Sequence, residues 1–259
     1  MLAPEVNTWR FVQAFLPSFF VAYLAFFLNW VSLDSTLAIT VLGTIALGFG
    51  GWMLALAVVF FFGSSSYLTT FREKGEKESD GSPRSRPLSR RDAYQVWSNG
   101  FWIAIFTLLW GVYYEPFLLT AAFAALAVAT ADTWATEIGT LNPGKTRNIL
   151  SGKLVEPGQD GGVSKKGHIA ALAGSAAIAF FIFGSMEQGV FFAFFVIMAA
   201  GFAGMLADSL LGAIYLSREM KFPLFGTSLQ KAANGKNNLT NWLSTGFGSL
   251  LVLILHLIF

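Results

Sequence analysis

The chain has no cysteine and only two histidines, and charged side chains make up 12% of its 259 residues. The missing cysteine excludes disulfides, thiolate-zinc sites and a cysteine nucleophile. His168 and His256 fall at opposite ends of the apolar segments traced below, which excludes a Ser-His-Asp set. A soluble domain carries about 25% charged residues. Half that share, with 54% hydrophobic residues, places this chain in a bilayer as one polytopic helix bundle, a single domain over 1–259. No small-residue cleavage site follows the first apolar run, and no Arg- and Ser-rich, acid-poor presequence precedes it, so the run reads as a retained span. A bacterial-type inner membrane is the expected location, a cyanobacterial one included. No nucleic-acid partner is expected.

What the chain has in abundance is phenylalanine, 27 of them, with Trp9, Trp30, Tyr113 and Tyr114 placed as interfacial anchors. Apolar runs of spanning length occur at 11–30, 36–49, 52–70, 93–113, 117–138, 168–185, 190–216 and 239–259. That gives about seven or eight transmembrane helices, with Gly50-Gly51 as the tight turn between the second and third. Three polar segments interrupt them. Residues 71–92 are rich in Lys, Arg, Glu, Ser and Pro, have little to bury and read as a mobile loop. Residues 139–167 form the longest loop with recognisable chemistry, and 217–236 form the third. Sixteen of the seventeen basic residues lie in these three loops. Two spans separate each loop from the next, so all three face one side, which the positive-inside rule makes the cytoplasm.

Against this apolar background two stretches repeat: Ala131-Asp132-Thr133 and Ala207-Asp208-Ser209. A carboxylate at membrane depth is costly, and so marks a functional site. Both lie on helices descending toward the basic side, Asp132 roughly 10 Å from the loop at 1.5 Å per residue. Mg²⁺ takes oxygen ligands, one or two carboxylates with waters and phosphate oxygens completing the octahedron. Asp132 and Asp208 are therefore the expected metal ligands, and Glu137, nearer the mouth, an assisting acid or ligand. Ser64, Ser65, Ser66, Asn99, Asn238 and Asn241 also fall in the cytoplasmic half, while the other half is nearly all Phe, Leu, Ala, Ile and Val. A chamber open on one side has this pattern; a conduit carries polar groups throughout.

The run Gly158-Gln159-Asp160-Gly161-Gly162-Val163-Ser164-Lys165-Lys166-Gly167 leads straight into a span. Its glycines permit tight turns and close backbone approach. Ser164 is a plausible N-cap, and the helix start it caps offers free amides to an anion. Arg147, Lys153 and Lys165 supply charge for phosphates. A phosphate or nucleotide cradle is the reading; a flexible turn with snorkelling lysines is the alternative. Gly139 to Thr146 satisfies G-x-x-x-x-G-K-T, but a P-loop needs a preceding strand, and here a membrane helix precedes it. Asn237 and Asn241 share a helical face, open to either a ligand role or a contact between helices.

Taken together, Ala131-Asp132-Thr133-Trp134-Ala135-Thr136-Glu137-Ile138-Gly139, Gly161-Gly162-Val163-Ser164, Asp208-Ser209-Leu210-Leu211-Gly212-Ala213 and Asn237-Asn238-x-x-Asn241 resemble the integral membrane family that contains plant phytyl-phosphate kinase. The resemblance extends from about residue 43 to residue 249. It implies kinship with phytol and dolichol kinases and with tocopherol biosynthesis. It also implies a CTP-like donor, a prenyl monophosphate acceptor and Mg²⁺, with Asp132, Glu137, Arg147, Gly162, Ser164, Asp208 and Asn241 at the site. The family often has Asn before Gly-Gly-Val-Ser, where this chain has Asp160, an additional candidate ligand. The expected activity is phosphoryl transfer to the prenyl monophosphate, giving the diphosphate. The rivals are a CTP-dependent lipid-phosphate cytidylyltransferase and an ion-coupled transporter. Tail length, donor preference and oligomeric state are not encoded in any of these motifs.

Overall fold

The computed structural model describes residues 8–79, 90–141, 144–218 and 229–258. Arg84, Arg86, Asn142, Pro143 and Lys221, which the sequence places in the polar loops, lie outside the described residues. The protein is an all-α polytopic membrane bundle of α1 (Thr8–Phe27), α2 (Leu33–Ser79), α3 (Ala93–Tyr113), α4 (Pro116–Leu141), α5 (Lys165–Phe180), α6 (Val190–Arg218) and α7 (Leu229–Ile258). A short antiparallel ribbon, β1 (Arg147–Asn148) with β2 (Gly162–Val163), lies between α4 and α5. Six of the helices contain stretches long and apolar enough to cross a bilayer, and Phe11–Phe27 of α1 is a shorter apolar stretch.

At 47 residues α2 is far longer than one crossing requires; about 20 suffice. It does not run straight. Gly51 has φ 79° and ψ −178°, a conformation glycine takes without a Cβ clash, and the chain reverses there. Contacts at both ends of the arms fix the reversal. Phe49 packs against Phe11, near the start of α1, and beneath Gly111, near the end of α3. At the opposite end, Asp34 accepts a hydrogen bond from the Ala93 amide at 3.1 Å, and Thr69 donates to Glu137 of α4 at 2.7 Å. Residues 33–50 and 52–79 are thus two antiparallel arms, in the positions of the expected second and third spans.

The expected mobile loop 71–92 is corrected at both ends. Helix α2 continues to Ser79 because Arg72 is not spent in water: its Nε donates to Glu137 Oε2 at 2.6 Å. At the other end Arg91 bridges Val31, so the chain is docked against the turn between α1 and α2 before α3 begins. Asp92 then caps α3 in a reciprocal capping box with Gln95.

Helix α4 is the axis of the bundle. Every residue from Leu118 to Ala131 is buried, and the helix packs against α2, α3, α5, α6 and α7. Seven of those positions are alanine. Lipid supplies no hydrophobic drive between helices, so small side chains that let backbones close together dominate such contacts. Gly204 of α6 and Gly248 of α7 both face Val128; a Cβ on Gly204 would lie 2.7 Å from Val128 Cγ1. The packed run ends at Ala131, in a small apolar cluster with Ala171 and Met205. The next residue is Asp132.

Candidate active site

Helices α4 and α6 run in the same direction, so Ala131-Asp132 and Ala207-Asp208 emerge from the packed layer at matching depth. The two carboxyl groups stand within hydrogen-bonding reach of each other. Asp208 is oriented from α7: Ser244 Oγ donates to its Oδ1 at 3.1 Å, and the Thr240 hydroxyl is also in reach. Among the described residues neither carboxylate takes part in an ion pair. Together they form the floor of a cavity of about 540 Å³ at the loop end of the bundle.

The roof of that cavity is the segment 158–164. Sequence alone leaves this loop between a cradle and a flexible turn; the structure shows it folded. Ile149 and Gly162 amides donate to Gly161 O and Gln159 O at 2.9 and 2.8 Å. Gly161 has φ 74°, and a Cβ there would lie 2.7 Å from Ala213 Cα and 2.9 Å from Ala213 N. The loop therefore rests directly on the α6 backbone, five residues beyond Asp208. Ser164 caps α5 as expected, accepting from the Gly167 amide at 3.1 Å. The α5 start faces the cavity, beside Asp160, His168 and Lys236.

A second, smaller cavity of about 300 Å³ lies on the other side of Asp132. Asp132, Thr136 and Asn237 belong to both walls. Its remaining lining comes from the turn after α1, from α2, from Arg91 and α3, and from α4 and α7, and includes Arg72, Arg91, Asn99, Glu137 and Asn241. Glu137 is buried and already engaged by Arg72 and Thr69. Among the described residues no three acidic or histidine side chains are arranged to hold one metal ion. Glu137, expected to assist the pair, is held by Arg72 and Thr69, while Asp132 faces Asp208. Asn241 is 8% exposed, and among the described residues its Oδ1 has no hydrogen-bond partner; Asn238 Oδ1 is likewise buried and unpartnered.

The cations chosen from sequence fare differently. Arg147 is exposed and donates to Gly152 O at 2.8 Å, tying the ribbon rather than facing the carboxylates. Lys153 and Lys165 are exposed and line neither cavity. Loop position alone does not aim a side chain: Lys153 lies in the connection between the two strands and Lys165 opens α5. The basic groups that do line the cavities are Lys236, Arg72 and Arg91. Sequence counted them only as loop charge. Lys236 carries a local signal, since it lies next to the Asn237-Asn238 pair; Arg91 carries none, because its partners are about sixty residues away.

The family model described as "Integral membrane protein DUF92" matches residues 16–249. An uncharacterised membrane protein of Methanocaldococcus jannaschii is 29% identical over 184 residues, covering 70% of this chain and 73% of that protein. An uncharacterised membrane protein of Synechocystis is 33% identical over 145 residues, 54% of each chain. Protein PGR of Arabidopsis thaliana is 37% identical over 97 residues, 34% of each chain. No solved structure matches.

Proposed function

The chain belongs to the integral membrane protein DUF92 family, and on that footing we propose that it is a membrane-embedded kinase. It transfers a phosphoryl group from a nucleoside triphosphate, CTP-like, to a prenyl monophosphate such as phytyl phosphate, and releases the prenyl diphosphate and a nucleoside diphosphate. The observation that carries this reading is the pairing of Asp132 with Asp208 beneath a glycine loop and a capped helix start. The residue motifs shared with the phytyl-phosphate kinase family support the choice of substrate. The charge distribution supports placing the loop end in the cytoplasm.

Mg²⁺ fits the donors present. Two facing carboxylates are hard oxygen ligands, and Mg²⁺ commonly takes one or two carboxylates and completes its shell with water and phosphate oxygens. Asp132 and Asp208 would hold it, and when bound it supplies charge neutralisation on the phosphates. The chain's own groups do the rest. The α5 start offers its free amides to the donor phosphates, and Lys236 adds a cation to the same wall. Ser244 and Thr240 hold the Asp208 carboxyl in place. Phosphoryl transfer asks mainly for positioning and charge stabilisation. The acceptor is already an anion, so its oxygen attacks the terminal phosphorus without a strong base, and the bond to the donor's bridging oxygen breaks.

The test is a reconstitution. Purified protein in lipid is given a prenyl monophosphate, Mg²⁺ and a nucleoside triphosphate labelled at the terminal phosphate. Label in the prenyl diphosphate is the expected result. Release of pyrophosphate with nucleotide attached to the lipid would assign a cytidylyltransferase, which uses the same contacts. Absence of transfer across prenyl lengths and all four ribonucleotides refutes the kinase. The wholly buried run of α4 disfavours a transporter, because it fills the far half of the bundle with packed side chains.

A further inference from the structure

The smaller cavity has no part in holding the donor, yet it contains a charge whose position is built with care. Arg91 is pinned by its backbone: its amide donates to Trp30 O at 3.1 Å, and its carbonyl accepts from the Ser32 amide at 3.0 Å and from the Ser35 hydroxyl at 2.6 Å. That anchor aims the side chain inward, with the guanidinium carbon 5.6 Å above the ring of Phe61, a residue 1% exposed. Among the described residues the Arg91 guanidinium has no hydrogen-bond or ion-pair partner. Glu137 stands within Coulombic reach, but its oxygens are taken by Arg72 and Thr69. Glu73 also lines the cavity and has an interaction of its own. Among the described residues lining this cavity, Arg91 is therefore a cation that no acid pairs, and Asp132 is an acid that no cation pairs. Asp132 and the unpartnered, nine-tenths buried Oδ1 of Asn241 line the same cavity.

A guanidinium at the interface end of a membrane cavity, over aromatic rings, suits a phosphate monoester carrying an apolar chain. Trp30 lines the same cavity. We infer that the smaller cavity is the acceptor subsite, in which Arg91 grips the phosphate of a prenyl monophosphate on the side of Asp132 opposite the glycine loop. This rests on the kinase reading for its role but not for its binding chemistry. Donor and acceptor phosphates then approach the carboxylate pair from separate chambers that share the Asp132 wall.

Binding is measured in nanodiscs, without nucleotide, using farnesyl monophosphate, farnesol and inorganic phosphate as probes. The wild-type protein is expected to bind the monophosphate and not the alcohol, with inorganic phosphate a poor competitor. Arg91→Gln weakens the monophosphate by about tenfold or more, the scale of one charge-assisted contact. Arg91→Lys weakens it less, and Arg90→Gln, an equal change of charge on the exposed neighbour, leaves it unchanged. Nucleotide affinity stays the same in all three. Unchanged monophosphate binding by Arg91→Gln, or a loss confined to nucleotide, overturns the subsite; equal competition by inorganic phosphate overturns the lipid assignment. Should Arg91→Gln fail to assemble, Asn99→Asp, which sets a negative charge on the same wall, must weaken the monophosphate or the inference falls. Arg91-dependent lipid binding without label transfer removes the kinase reading alone. Label transfer with an unaltered KM for the prenyl monophosphate in Arg91→Gln removes the subsite alone.

Discussion

Gly161→Ala is the most informative single substitution, because the structure separates its two effects. Gly161 has φ 74°, where a Cβ is disfavoured by about 1–2 kcal/mol. In addition the new methyl would lie 2.7 Å from Ala213 Cα, and overpacking of this kind costs about 1–3 kcal/mol. Gly158→Ala is the control: φ is 83°, but the nearest atom, Thr140 Cγ2, is 3.7 Å away. Only the backbone penalty applies there. At about 1.4 kcal/mol per tenfold, Gly158→Ala should favour loop opening by about 5- to 30-fold. Gly161→Ala should exceed it by a further factor of about 5 to 150. Trypsin cleavage within 144–166, quantified by mass spectrometry at low protease, reports the population of the opened loop. It needs no assumption about substrate. Equal cleavage rates for the two variants would refute the claim that this loop is held by its close approach to α6.

Four further outcomes are expected. Asp132→Asn and Asp208→Asn each reduce Mg²⁺-dependent turnover by at least about 100-fold while the protein still inserts and melts cooperatively; near-normal turnover in either removes that residue from the site. Glu137→Ala removes the contacts to Arg72 and Thr69 and lowers stability by about 1–3 kcal/mol, but leaves Mn²⁺ affinity, read by paramagnetic resonance, within about threefold; a large loss of affinity would assign Glu137 to the metal. Ser164→Ala removes the α5 cap and lowers stability by about 1 kcal/mol, seen as accelerated hydrogen exchange in the first turn of that helix and nowhere else. Because the chain has no cysteine, single cysteines report topology directly: Trp52→Cys and Glu187→Cys should react with an impermeant maleimide from one face, Leu150→Cys from the other. Labelling of Trp52→Cys and Leu150→Cys from the same face contradicts the reversal at Gly51.

The helices were legible because the bilayer forces apolar runs of fixed length, and the paired Asp motifs because an acid inside such a run is rare. Gly50-Gly51 in an uninterrupted apolar stretch sufficed to place the reversal. The Ser164 cap was readable from its neighbours alone. Side-chain direction beyond the helices was not. Arg147 belongs to a ribbon of four paired residues and Lys153 to the connection between its two strands, neither long enough to leave an alternating pattern, so nothing local said that they face outward. Glu137 read as a metal assistant because its partner Arg72 lies 65 residues away, in a segment whose composition suggested disorder. Arg91 was hidden for the same reason: its orientation is set by Trp30, Ser32 and Ser35.

The alanine-filled interior of α4 has an evolutionary corollary. A side chain larger than alanine at positions such as 121, 124 or 127 would push several helices apart at once, so this rod is closed to gradual change. Change must then fall on the outer wall, where Phe15, Phe19, Leu37 and Phe195 stand exposed around the perimeter. Relatives are expected to share the rod and to diverge along that rim.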